Sequence, residues 1–289
     1  MICKKKIFIL LLLLLGCIHL IIASDVDGVF VHKVGQFEVV LFVEAEREGN
    51  ATILNNLHED MIEQYIPKNG FLHSTNVFLV KTPEQIYLVD SGTGAQGAIL
   101  EKIVAYGIEP SSINAVLLSH LHFDHFGGLQ SEGVANFPNA KIYISENELE
   151  HFTKTNINEM VVTTLSLYED RIVTFHPNEL YSEHQELFNG IFAIANYGHT
   201  PGHVVYLLES EGEKLVIAGD FLHVGLVQFQ HPEISAIYDI DPYEAAVSRR
   251  QILEYATQHD IPIGGMHIVY PGMGTVEKEG DGFKFLPFK

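Results

Sequence analysis

Apolar positions along this chain alternate between strand-like and helix-like spacing, and Gly, Pro and Asn mark most of the switches. From Gly28 to Val43 they fill two stretches parted by Gly35-Gln36, which predicts two strands and a turn. Glu44 to Asn50 is charged and reads as an exposed loop. His58 to Tyr65 predicts a short helix stopped by Pro67 and Gly70. Ser74 to Lys81 and Ile86 to Val89 read as strands joined by the turn Thr82-Pro83-Glu84-Gln85. Ala98 to Tyr106 has Ile99, Leu100, Ile103 and Val104 at helical spacing, with Gly107 to cap it. Ala115-Val116-Leu117-Leu118 reads as a buried strand, and Lys141 to Ile144 as another. Ser145 begins a helix through about Phe152, with Glu148 closing a capping box. Thr155 to Leu180 keeps no clean period and is expected to be a helical insertion over the site. Ile191 to Ala195, Val204 to Leu208 and Lys214 to Ala218 are strands, and Pro242 to Gln258 is an amphipathic helix. Strands interleaved with helices predict an α/β fold. No repeat, low-complexity tract or linker follows residue 28, so residues 24–289 are expected to form a single domain.

The polar residues that follow the strands carry the chemistry. After Leu118 comes Ser119-His120-Leu121-His122-Phe123-Asp124-His125-Phe126-Gly127-Gly128, with four metal-type ligands in six residues. A strand end feeding a loop holds side chains at the rim of a sheet, open to solvent. Imidazoles at i and i+2 can grip one cation, and Asp124 and His125 can reach a second. Zinc suits this mixture of nitrogen and carboxylate ligands. Asp90, in the Gly-rich turn Asp90-Ser91-Gly92-Thr93-Gly94, is placed to support that loop from behind. The turn lacks the spacing and the Lys of a nucleotide site. Three further segments add ligands: Tyr197-Gly198-His199-Thr200-Pro201-Gly202-His203, then Gly219-Asp220 at a strand end, then Gly264-Gly265-Met266-His267.

Composition narrows the partners. Apolar residues make up 47% and charged residues 19%, which suits a globular protein with a sizeable core. The net charge of −20 opposes nucleic-acid and anionic-membrane partners and leaves a small molecule as the expected substrate. At the N-terminus, Lys4-Lys5-Lys6 precede the apolar run Ile7 to Leu15, and small residues occur at Ala23-Ser24. That order describes a secretory signal over residues 1–23, and hence export to the periplasm or medium. Two alternatives stay open: Leu14-Leu15-Gly16-Cys17 as a lipobox that lipidates Cys17, and retention of the apolar stretch as an anchor. Cleavage would remove Lys4, Lys5, Lys6 and both cysteines, taking the charge from −20 to −23 and leaving no thiol to ligate metal. The sequence does not set the oligomeric state; a homodimer is compatible with it.

The ordered set His-x-His-x-Asp-His, Gly-His-Thr-Pro-Gly-His, Gly-Asp and a late His resembles the metallo-β-lactamase superfamily, most firmly over residues 74–275. The resemblance implies a four-layer αβ/βα sandwich with two divalent metal ions, expected to be zinc, at one edge. His120, His122 and His199 would hold the first ion, Asp124, His125 and His267 the second, and Asp220 would bridge them. His203 would be structural. His58, His151, His176, His184 and His259 are expected to lie outside the site. Asp124 and Asp220 are the candidate catalytic carboxylates. Two such ions lower the pKa of a shared water, so that hydroxide can attack a carbonyl carbon or a phosphorus centre near neutral pH. Asp220, or a water, would then pass a proton to the leaving group.

Within the superfamily, the absence of a ligand Cys departs from β-lactamases that use one. The segments Phe221 to Phe229 and His267 to Gly274 are similar to the exported branch of methyl parathion hydrolases and lactonases. The expectation is a dinuclear-metal hydrolase of a lactone, carboxylic ester or phosphotriester in a small apolar substrate, with Phe221 to Phe229 along one pocket wall. A non-catalytic metal-binding protein and a β-lactam hydrolase are the alternatives.

Overall fold

Alternating apolar residues in the first half of the chain wind a seven-stranded sheet. The computed structural model describes residues 26–289; the segment read as an export signal, with Cys3 and Cys17, lies outside the described residues. Strands β1 (Val29–Val34) and β2 (Phe37–Glu48) form a hairpin across Gly35-Gln36. After helix α1 (Glu59–Tyr65) come β3 (Leu72–Lys81), β4 (Ile86–Val89), α2 (Ile99–Ala105) and β5 (Ala115–Leu117). Helix α3 (Phe123–Phe126) and the small ribbon β6 (Gln130–Ser131) and β7 (Val134–Ala135) follow. Then come β8 (Lys141–Ser145), α4 (Glu146–Glu150), α5 (Glu159–Ser166) and β9 (Ile172–Phe175). The sheet order is β1-β2-β3-β4-β5-β8-β9, antiparallel as far as β4 and parallel beyond it.

The second half builds a six-stranded sheet in chain order. Its strands are β10 (Ile191–Ala195), β11 (Val204–Ser210), β12 (Glu213–Ile217), β13 (Ile263–Gly264), β14 (Met273–Glu279) and β15 (Gly282–Pro287). Helices α6 (Gly225–Gln228) and α7 (Pro242–Gln258) lie between β12 and β13. Asp241 caps α7, its Oδ1 accepting from the N–H groups of Tyr243 and Glu244, while Pro242 fits the first turn.

The two-residue period sorts each strand between two cores. Val39, Leu41, Phe78 and Val80 meet Val204, Tyr206, Leu215 and Ile217 between the sheets. Their neighbours Val40, Phe42, Val77 and Leu79 face the other way and pack with Ile99, Ile103, Val161 and Leu165 of α2 and α5. On the far side Val205, Leu207 and Val216 pack with Ile252, Leu253 and Ala256 of α7. Helix, sheet, sheet and helix make the expected αβ/βα sandwich. Leu41 and Phe78 pair directly across β2 and β3 and are fully buried; truncating Phe78 to Ala would cost about 3–5 kcal/mol.

Three local expectations are corrected. Of Glu44 to Asn50 only Gly49-Asn50 is loop: β2 continues to Glu48, pairing with Leu72, because Glu44 is accommodated as an extra residue in a bulge between Val43 and Ala45. Thr155 to Leu180 is only partly helical; after α5, β9 adds an edge strand whose partner β8 is nearly thirty residues away, beyond the reach of any local pattern. The Glu148 side chain does not close a capping box. Ser145 Oγ does accept from the Glu148 N–H, but the carboxylate points elsewhere. Among the described residues no helix is long and apolar enough to cross a membrane.

Candidate metal centre

The sandwich delivers the predicted ligands to one edge. His120 to His125 follow β5, His199 follows β10, Asp220 follows β12, and His267 follows β13. Strands β10, β12 and β13 run in the same direction, so their C-terminal ends share that edge. Gly219 bends the chain into Asp220 at φ +50°, where an added Cβ would lie 2.6 Å from His203 Nε2.

All seven predicted residues converge in two adjoining groups. In the first, His199 Nε2 lies 2.9 Å from His122 Nδ1, 3.2 Å from His120 Nε2 and 3.4 Å from Asp220 Oδ2. In the second, Asp220 Oδ1 lies 3.1 Å from both His125 Nε2 and His267 Nε2; Asp124 is 3.7 Å from His125 and 3.5 Å from His267. Asp220 thus belongs to both groups, as a bridging carboxylate would. A tetrahedral zinc with bonds of about 2.0–2.1 Å separates its ligand atoms by roughly 3.3 Å, which these spacings bracket. His125 Nε2 and Asp220 Oδ1 are buried and, among the described residues, have no hydrogen-bond partner. Buried polar atoms that converge without partners are what a cation would satisfy. The donor set therefore fits two divalent ions.

The outer edges of the imidazoles are held. His125 Nδ1 donates to Asp90 Oδ2 at 2.6 Å, the support expected of Asp90, whose carboxylate also accepts from the Ser119 N–H and hydroxyl. His199 Nδ1 donates to Asp239 Oδ1 at 2.8 Å, and His267 Nδ1 to the Ser74 carbonyl at 2.8 Å. Such partners fix ring orientation and tautomer. His203 Nδ1 donates to the Asn196 carbonyl, and its Nε2 accepts from the Asp220 N–H, so it shapes the loop from behind. His58, His176 and His259 are exposed, His151 and His184 half-buried, and none joins the cluster.

Burial and charge split the histidines. Burial depresses His199 to about 3 and His122 and His203 to about 4, so their lone pairs are free at neutral pH. For His125 and His267 burial also works downward, but Asp220 and the neighbouring carboxylates outweigh it and raise both. Burial would raise Asp220, yet His125, His267 and His223 hold it well below the usual carboxylate range.

Four residues escaped the sequence reading. His223 Nε2 sits 3.2 Å from Asp220 Oδ2, with its ring stacked on His267 at 5.1 Å. His73 also stacks on His267, at 4.5 Å. Asp239 is forty residues beyond His199, and only the fold brings them together. Glu148 accepts from the Leu121 and Gly202 N–H groups and the Thr200 hydroxyl, joining the two ligand loops. Of these, only His223 had a usable signal, lying one helical turn past Asp220 in an otherwise apolar run.

The centre opens into a cavity of about 480 Å³ lined by Arg47, His73, Thr75, Asp124, His223 and Tyr238 among others. A more apolar cleft of about 790 Å³, with Phe71, Leu226, Phe229, Ile268 and Phe285 in its walls, adjoins it. His223 and His267 line both.

Comparison with known proteins agrees with this fold. The chain is 26% identical over 166 residues to an N-acyl homoserine lactonase of Bacillus cereus; the match covers 48% of this chain and spans only 60% of that protein's length. The crystal structure of AbOPH, a hydrolase in the beta lactamase superfamily, superimposes with a TM-score of 0.81 at 26% identity, covering 92% of this chain and 99% of that one. AidC, a dizinc quorum-quenching lactonase solved with a product, shares the fold at 24% identity, also with a TM-score of 0.81 and with coverage of 92% and 99%. The profile of the Metallo-beta-lactamase superfamily matches residues 70–260, and with the sandwich and the ligand-bearing edge already in place, the chain belongs to that superfamily.

Proposed function

We propose that this chain is a metal-dependent hydrolase that cleaves an ester-type bond, a lactone or carboxylic ester, in a substrate carrying an apolar tail. The observation that carries the reading is the junction of the two cavities at His223 and His267, which sets an apolar cleft directly beside the ligand cage. The relatives named as a lactonase and as a hydrolase, each 26% identical, support it.

His120, His122 and His199 would hold one ion, Asp124, His125 and His267 the other, with Asp220 between them. Two zinc ions there would lower the pKa of a water and polarise a carbonyl oxygen. The chain's own residues do the rest. Asp90, Asp239 and the Ser74 carbonyl hold the imidazoles in register, so the ligand geometry is set before substrate arrives. Leu226, Phe229 and Ile268 shed water from the cleft and bind the tail, placing the scissile bond beside Asp220. Asp220 and Asp124 are the carboxylates within reach of a leaving-group oxygen, and either can relay a proton to it.

The test is hydrolysis of aryl esters and acyl lactones of graded tail length by zinc-loaded protein, before and after chelation. The expected result is turnover that improves with tail length, disappears with chelator, and is lost in Asp220→Asn and His122→Ala. Activity that survives complete metal removal, or two bound metals with no turnover on either substrate type, refutes it.

A further inference from the structure

The bulge in β2 decides which charge faces the metal cavity. Up to Phe42 the row Val40, Phe42 shares a face with Leu79 and Val77 of β3. In an unbroken strand that row would continue through positions 44, 46 and 48, all glutamates. The extra residue shifts the register, so that Ala45 pairs with Thr75 and Arg47 with His73. Cross-strand partners point to the same face, and Thr75, His73 and Arg47 all line the cavity. Glu46 lines the neighbouring cleft instead. The carboxylate of the displaced Glu44 is buried and held by the Thr93 N–H and hydroxyl, which fixes the bulge.

Among the described residues Arg47 is the only Lys or Arg lining that cavity. Three of the four arginines among the described residues, Arg171, Arg249 and Arg250, pair with a carboxylate. Cation–carboxylate pairs among the described residues use Lys33, Arg171, Lys214, Arg249, Arg250 and Lys284, and not Arg47. Its cross-strand partner His73 lies against His267, and Arg47 lines the same cavity as Asp124 and His267 of the second ligand group.

We infer that Arg47 is a specificity-determining residue that binds a carboxylate on the substrate, on the side of the metal centre away from the apolar cleft. The preferred substrate is then an amphiphile: an apolar tail, a scissile ester or lactone, and an anionic group a few bonds beyond it. A planar guanidinium suits a carboxylate because it offers paired N–H donors. This inference rests on the hydrolase reading above.

Two esters with the same leaving group separate the charge from the chemistry: mono-4-nitrophenyl glutarate, which is anionic, and neutral 4-nitrophenyl pentanoate of equal chain length. In the zinc-loaded protein, Arg47→Met should raise KM for the glutarate on the order of tenfold, with kcat little changed and the pentanoate unaffected. Arg47→Lys should recover much of the loss, since it keeps the charge and gives up the paired donors. Equal effects on both esters, or none on the glutarate, overturn the inference. If neither these esters nor acyl lactones are turned over, the hydrolase reading fails while Arg47 is still tested by calorimetry. Glutarate should then bind the zinc-loaded protein more tightly than butyrate, and Arg47→Met should abolish that difference; a difference that persists overturns the inference.

Discussion

Glu148 offers a sharp test of how the two ligand loops are joined. It is 1% exposed, sits in the first turn of α4, and accepts from the Leu121 N–H at 2.8 Å, the Gly202 N–H at 3.0 Å and the Thr200 hydroxyl at 2.7 Å. Leu121 lies between His120 and His122, and Thr200 follows His199, so one carboxylate ties together the loops carrying three ligands of the first group. In Glu148→Ala the Thr200 hydroxyl can rotate to another acceptor, but two buried N–H groups lose theirs. At about 1–3 kcal/mol for each orphaned donor, the loss is about 2–6 kcal/mol, a large part of a typical domain's 5–15 kcal/mol. Glu148→Gln keeps one acceptor oxygen and should cost about half as much. Zinc affinity should fall on the order of 10–100-fold in the Ala variant, as for loss of other residues that orient ligands.

The same residue carries a pH signature. Burial raises its pKa from 4.5 to about 7, against the Thr200, Leu121 and Gly202 hydrogen bonds that pull it down. Between those two values the folded protein holds a proton that the unfolded chain has released. Stability from this group is therefore greatest below pH 4.5 and falls as pH rises to about 7. Glu148→Gln removes that slope, so the advantage of the native residue should narrow from pH 5 to pH 8. The assay is denaturant unfolding of the metal-free protein at several pH values, with zinc titration alongside. An Ala variant as stable as the native protein, with unchanged zinc affinity, would refute the reasoning.

Asp239→Asn should lower zinc affinity about 10–100-fold, because the carboxylate that orients His199 is gone. It should also cost stability, since buried Arg249 loses its charged partner at 3.4 Å; competition with a zinc chelator and an unfolding curve check both, and an unchanged affinity would sink the assignment. Metal binding should release protons. In the metal-free protein Asp220 and its neighbours raise His125 and His267 against the effect of burial, so an incoming ion must displace protons, and affinity should climb with pH. Calorimetry at pH 7 in two buffers of different ionisation heat reads that release directly, and equal heats in both would contradict it.

The sequence by itself singled out the candidate ligands and most of the elements. His120, His122, Asp124 and His125 are legible because they are close in the chain and follow an apolar run, and helix α7 because its period and its Asp-Pro cap are local. The folded chain brings all seven predicted ligand residues together at one edge. What the sequence left undecided depends on partners far away in the chain. β9 is a strand because it pairs with β8, and β2 runs to Glu48 because β3 continues to offer it a ladder. Asp239, Glu148 and His73 act across 40, 52 and 194 residues, on His199, Thr200 and His267 respectively, and no local pattern encodes such distances. Local periodicity sets which residues face a core, but only packing sets which loop meets which. That is why the candidate ligands could be picked out along the chain, while the residues that hold and flank them, and the bulge that turns Arg47 toward the cavity, came from the tertiary structure alone.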